Sequence, residues 1–337
     1  MANGNPVVVV TGASGGVGRA TVREFARSGA RIAMLARGVD RLNAARKEVE
    51  EAGGQALVVP TDVADPEQVE SAAERTEREF GPIDIWVNNA MTTIFAFFSE
   101  IRPDEYKRAT EVTYLGCVYG TMAALKRMKA RNRGIIIQVG SALAYRSIPL
   151  QAPYCGAKHA IVGFTDSIRS ELIHDRSNVQ LTVVHLPGLN TPQFSWGRTR
   201  LPNHPQPVPP IFQPEVAARA IVWASGQRKR EVWVALSTYK AIIGQRLAPG
   251  FADRYLAKHA VEGQETPNPI SPNRPDNLFE TVPGDQYAAH GIFDGRAKTW
   301  SLTNKIERHC RGILVGLGAA SAAFVIARRT NAPKRES

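Results

Sequence analysis

Seven short apolar runs punctuate the first 240 residues, and their spacing constrains the fold more than any other feature. They are PVVVVT (6–11), RIAMLA (31–36), ALVVP (56–60), IDIWVN (83–88), GIIIQVG (134–140), VQLTVVHL (179–186) and EVWVAL (231–236). Most are continuous and β-branched rather than alternating, the pattern of parallel strands buried on both faces. Between them lie amphipathic stretches of helical period, such as GRATVREFARSG and DPEQVESAAERTEREFG. Strand–helix alternation of this kind winds into an α/β layer structure. The expected class is a doubly wound parallel sheet of the Rossmann type with a C-terminal helical extension.

After Leu236 the character changes. Residues 1–240 are expected to form the catalytic domain. Residues 241–260 continue a helical stretch with a break near Pro249. Residues 261–295, rich in Pro, Gly and Asn, suit an extended linker. Residues 296–337 form a basic tail around an apolar helix at 312–327.

The segment VVVVTGASGGVGRA places strand, glycine turn and helix in succession, with Gly12, Gly16 and Gly18 in a G-x-x-x-G-x-G spacing. Glycine there lets backbone N–H groups and a helix N-terminus approach a pyrophosphate closely. Following the first strand of an α/β sheet, this turn is a dinucleotide site, with Ser14 and Val17 inside it. A site selective for NAD would carry an acid at the end of the second strand. This chain has Ala36 and Arg37, and an arginine can pair with a 2′-phosphate. NADPH is therefore expected in preference to NADH.

Tyr154 and Lys158 stand four residues apart, on one face of a helix. A nearby ammonium lowers a phenol's pKa from about 10 and fits it for acid–base work beside a hydride carrier. Ser141 ends the fifth run, where its hydroxyl can donate to a carbonyl oxygen. Asn88–Ala90 closes the fourth run and Pro187–Thr191 the sixth. All lie at the carboxyl ends of strands, where α/β proteins bind ligands.

Together these residues resemble the short-chain dehydrogenase/reductase family over about residues 5–240: T-G-x-x-x-G-x-G at 11–18, Asp62 in TDV, N-N-A at 88–90, Ser141, Y-x-x-x-K at 154–158 and P-G at 187–188. The resemblance implies an NAD(P)-dependent oxidoreductase interconverting a carbonyl and an alcohol. It makes Tyr154 the proton donor or acceptor, while Lys158 lowers the tyrosine pKa and bonds the nicotinamide ribose. Ser141 orients the carbonyl. Asp62, with Val63, lies near adenine; Asn88 and Ala90 lie beside the cofactor; Pro187, Gly188 and Thr191 lie near the nicotinamide. A homo-oligomer is implied as well. Two positions depart from the family pattern. Met91 replaces a glycine beside the nicotinamide and either narrows the site or packs beneath it. Thr113 replaces an asparagine that holds a relay water, and its hydroxyl is the candidate substitute.

The aromatic loops at 91–100 (Phe95, Phe97, Phe98) and 193–212 (Phe194, Trp196, Leu201, Ile211, Phe212) suit either a bulky apolar substrate or internal packing. His185, His204 and His309 are isolated, so no metal is expected. Cys117, Cys155 and Cys310 form neither a disulfide framework nor a zinc pattern and suit a reducing compartment. The N-terminus lacks the basic and cleavable regions of a secretory signal. From Arg296 onward nine cations face two acids, a large share of the net charge of +11. They flank an apolar run without aromatic or polar readers among them, which argues against nucleic acid and for an anionic membrane surface. As a helix, 312–327 would reach about 24 Å, short of a bilayer core of about 30 Å. Membrane attachment on the cytosolic side, a soluble helix and a subunit contact are the three readings, and the bracketing arginines favour the first. A soluble reductase of small carbonyls, or a dinucleotide-binding sensor with little turnover, are the alternatives to a membrane-associated enzyme.

Overall fold

The computed structural model describes residues 5–271, 273–284, 288–304 and 306. Seven strands, β1 (Val7–Thr11), β2 (Arg31–Ala36), β3 (Gln55–Pro60), β4 (Ile85–Asn88), β5 (Ile135–Ser141), β6 (Gln180–Leu186) and β7 (Glu231–Trp233), pair in the order β3-β2-β1-β4-β5-β6-β7. Every pairing is parallel. The chain begins mid-sheet, winds to one edge, then returns and winds to the other. The reversal between β1 and β4 opens a crevice at the strands' carboxyl ends.

The helices are α1 (Gly16–Ala26), α2 (Val39–Glu51), α3 (Pro66–Phe80), α4 (Pro103–Thr110), α5 (Gly116–Ala130), α6 (Ala152–His174), the single turn α7 (Gln193–Trp196), α8 (Pro214–Ser225), α9 (Ala235–Leu247) and α10 (Pro249–His259). The valine run of β1 shows why a continuous apolar strand is required. Val8 and Val10 pack with Val22, Phe25, Val216 and Ile221 on one face. Val7 and Val9 pack with Val69, Ala73, Ala124 and Leu172 on the other. Burying each such side chain is worth about 1.5–3 kcal/mol, so a charge anywhere in β1 would break one layer or the other. Asp65 caps α3 by accepting from the N–H groups of Glu67 and Gln68, with Pro66 as the first helical residue. Proline disfavours helical backbone in the residue before it, and Ala248, at φ −145°, separates α9 from α10 just ahead of Pro249.

The stretch expected as a linker is a packed cover. Leu278 is fully buried, and Gln264, Ala289 and Phe293 are buried too. Residues Glu265–Pro269 pair antiparallel with Asn203–Pro205. Further on, the Lys298 N–H donates to Ile211 O at 2.9 Å, and the Gln213 N–H donates to Lys298 O at 2.9 Å. Few apolar residues, spaced without period, do this work, so no local pattern announces it. The expected apolar helix at 312–327 lies outside the described residues. Among those described, no helix is long and apolar enough to cross a membrane.

Candidate active site

One cavity of about 570 Å³ runs along the carboxyl ends of the strands. It draws in Gly12, Ser14, Gly16, Val17, Arg37, Asp62, Val63, Ala90, Ser141, Tyr154, Lys158, Pro187, Gly188 and Thr191, all singled out from the sequence. Gly18, Asn88 and Thr113 are not on its wall.

The glycine turn is shaped for an anion. Gly12 and Gly16 have φ of +68° and +54°, a region that side chains other than hydrogen rarely enter. A Cβ on Gly18 would lie 2.1 Å from Gly12 O, so this glycine serves close packing of α1 on the turn. The first turn of α1 has no acid, and no side chain caps it. This helix start therefore meets no protein anion, the arrangement that receives phosphate, although the Gly16 N–H is taken by a carbonyl of the cover. The pocket fits a dinucleotide.

Ser141 ends β5, and its Oγ accepts from the Leu143 N–H at 3.1 Å. Its hydroxyl proton is left for the Tyr154 phenol oxygen, and that hydrogen bond draws the phenol downward. Desolvation outweighs it and pushes the phenol up to about 12. Lys158, one turn on along α6, sits with its Nζ 5.5 Å from the Tyr154 ring centroid. The same Nζ donates to Val139 O at 2.7 Å, and burial pulls it down to about 8. Before anything binds, the lysine is thus held by the β5 backbone rather than by the phenol.

Asn88 is spent below the site. Its Oδ1 accepts from Trp86 Nε1 at 2.8 Å, and its Nδ2 donates to Thr121 Oγ1 and Gln138 Oε1 at 3.0 and 2.9 Å. The neighbouring Asn89 lines the cavity instead and donates to Thr11 O at 2.9 Å. Successive strand residues face opposite ways, so an NN pair always offers one to each side. Thr113 lies in a turn of π-helix, Glu111–Leu115. Its Oγ1 donates to Thr92 O at 2.9 Å and accepts from Thr92 N–H at 3.1 Å, fixing the strand end rather than reaching the cavity. Met91 does line the cavity.

Arg37 meets an unexpected partner. Its guanidinium donates to Phe279 O at 2.7 Å and Asn277 O at 2.5 Å, carbonyls of the C-terminal cover. Burial, then repulsion by Arg108, lowers its pKa. Arg108 in turn bonds Leu278 O and pairs with Asp62 at 2.5 Å. Across the turn, the Gly16 N–H donates to Ala288 O at 3.1 Å. The cover therefore straps the crevice between the glycine turn and the end of β2.

Of the aromatic loops, only part faces inward. Phe194 and Trp196 line the cavity, whereas Phe95, Leu201 and Ile211 pack with Phe194 and Phe293 as core. Phe97 and Phe98 point to solvent. The far wall comes from α9 and α10 through Ser237, Lys240, Gln245 and Leu256. No motif marks these residues; only the helical period of their segment hinted at an element there. Ser237 Oγ is buried with no partner among the described residues.

A parallel sheet with a glycine turn after β1 and a Ser–Tyr–Lys group at one crevice defines a nicotinamide-dinucleotide oxidoreductase of Rossmann type. The chain belongs to the short chain dehydrogenase family, whose model matches residues 6–198. It is 33% identical to the uncharacterized oxidoreductase YxnA of Bacillus subtilis (strain 168) over 297 residues, 87% of this chain and 82% of that one. It is also 33% identical to the 3-dehydrosphinganine reductase of Danio rerio, over 64% of this chain and 67% of the relative. The alcohol dehydrogenase of the archaeon Thermococcus sibiricus, solved in complex with 5-hydroxy-NADP, superposes with a TM-score of 0.59 at 26% identity, covering 68% of this chain and 96% of that one.

Proposed function

We propose that the protein is an NADP(H)-dependent reductase of a bulky, lipophilic ketone or aldehyde, working on the matching alcohol in reverse. The observation that carries this is the shared cavity, with Ser141, Tyr154 and Lys158 beneath an apolar wall of Ile148, Phe194, Val208 and Leu256. The dinucleotide, when bound, supplies or accepts the hydride. The protein's own work is positional and protonic. The Ser141 hydroxyl and the Tyr154 phenol both hold the carbonyl oxygen. With its pKa near 12, Tyr154 arrives protonated at neutral pH and gives its proton to the oxygen as negative charge gathers there. Lys158 supplies a positive field beside the phenol when protonated. Ser237, unpartnered in the wall, is placed to bond a second polar group of the substrate.

Support for NADP(H) comes from the acid missing after β2, and from Arg37 and Arg41 both lining that end of the cavity. The 3-dehydrosphinganine reductase among the relatives supports a long-chain substrate, and the basic, apolar tail supports a membrane setting on the cytosolic side. The test is NADPH oxidation by the full-length protein in mild detergent, against matched short-chain and long-chain ketones. Turnover confined to the long-chain members is expected. Tyr154→Phe should lose turnover by a factor of about 10²–10⁴ while NADPH still quenches its tryptophan fluorescence. Undiminished turnover in that variant would reject the assignment.

A further inference from the structure

Two exposed apolar stripes lie on the outer side of the cavity. On α9, Leu236, Ile243 and Leu247 recur at helical spacing along one edge. On α10, Phe251 and Tyr255 stand one turn apart, their rings stacked with centroids 6.3 Å apart. Leu247 is 79% and Phe251 70% exposed, unusual for side chains of this size on one corner of a protein. Lys240, Gly244 and Tyr255 belong both to the exposed surface and to the cavity wall, so the cavity opens between these two helices.

The same helices carry four exposed cations, Lys240, Arg246, Arg254 and Lys258. Their one carboxylate, Asp253, is held by Arg146 at 2.6 Å. The chain also returns to this corner. Asn304 Oδ1 accepts from the Ala235 N–H at the start of α9, at 3.2 Å. Trp300, Leu302 and Ile306 are exposed beside it.

We propose that the α9–α10 face is a docking surface for an anionic phospholipid bilayer, and that lipophilic substrate enters the cavity from the membrane between the two helices. The apolar stripes sit at the acyl boundary and the cations among the headgroups, as amphipathic helices lying in an interface do. A second copy is a poorer occupant, because a two-fold contact would set these cations against themselves. The chain's own apolar run is flanked by Arg311, Arg328 and Arg329 and would meet the same repulsion. This inference rests on the lipophilic-substrate reading above.

The test uses the full chain with Cys310→Ser and Phe251→Cys, labelled with bimane at position 251. Cys117 and Cys155 are buried and stay unlabelled. Vesicles of phosphatidylcholine with about one quarter phosphatidylserine are added, with or without a doxyl spin label on the acyl chain. Bimane emission should shift to the blue on binding and be quenched by the doxyl lipid. In the unlabelled chain, Leu247→Glu with Phe251→Glu should lower partitioning onto these vesicles at least tenfold. It should raise KM for a vesicle-borne long-chain ketone and leave kcat on the same ketone in mild detergent unchanged. A bound protein whose label stays in water would overturn the proposal, since the tail alone would then be holding it. So would a label already shielded without vesicles, with sedimentation telling a paired copy from the chain's own tail. Lipid quenching without turnover of any ketone would defeat the redox reading alone. Turnover of soluble ketones with an unquenched label would defeat the surface alone.

Discussion

Lys158 is only 3% exposed, and its one described hydrogen bond goes to Val139 O. Burial moves its pKa from the ordinary 10.5 to about 8. Between those two values the unfolded chain holds a proton that the folded protein has released. Stability of the cofactor-free protein should therefore rise as pH climbs through that window, and the full cost of the buried ammonium is present below it. Lys158→Met should raise stability at pH 7 by about 1–3 kcal/mol while removing turnover, measurable as a higher urea midpoint with an unchanged slope. The phenol behaves oppositely. With Tyr154 near 12, alcohol oxidation, which needs phenolate, should climb steadily with pH, whereas ketone reduction stays level through neutrality. A parallel pH dependence in both directions would contradict that proton role. At this scale the sequence discloses residues whose chemistry is tied to a strand end or to a glycine φ, such as Ser141 and Gly16. It does not disclose how a polar side chain within a motif spends its bonds. Asn88 and Thr113 are spent on the scaffold, and only three-dimensional neighbours reveal it.

Among the elements, the C-terminal strap changes most how the site is understood. Arg37 holds the carbonyls of Asn277 and Phe279, so its guanidinium anchors the strap, and reading a 2′-phosphate is the second duty proposed for it above. Arg37→Ala separates the two duties. If it reads the phosphate, NADPH affinity should fall at least tenfold, about 1.4 kcal/mol, with NADH affinity nearly unchanged. Equal losses for both dinucleotides would assign the arginine to the strap alone. Leu278→Asp, which puts a charge at a fully buried position, should free the strap and speed dinucleotide release in stopped-flow fluorescence. Strand elements were legible because each is bounded by its own apolar run. GIIIQVG, expected at 134–140, is found one residue on as Ile135–Ser141. The strap had no such signature, since its anchors are carbonyl oxygens and single side chains whose partners include residues 78 and 242 positions away.

For the whole molecule, the break near Pro249 and the appended helices were visible as local pattern. Their place as the far wall of the cavity was not, because that depends on the loop after β5, where Arg146 donates to Gln245 Oε1 and Asp253 Oδ1 at 2.6 Å each. The longest-range contacts, Arg37 with Phe279 and Gly16 with Ala288, give this site a timetable. Translation delivers the phosphate-binding turn early and its cover more than 250 residues later. At a synthesis speed of about 5–20 residues per second, the turn waits on the order of ten seconds or more before the strap exists. The strap, with Asn277 and Thr281, is thus the last described part of the cavity wall to leave the ribosome.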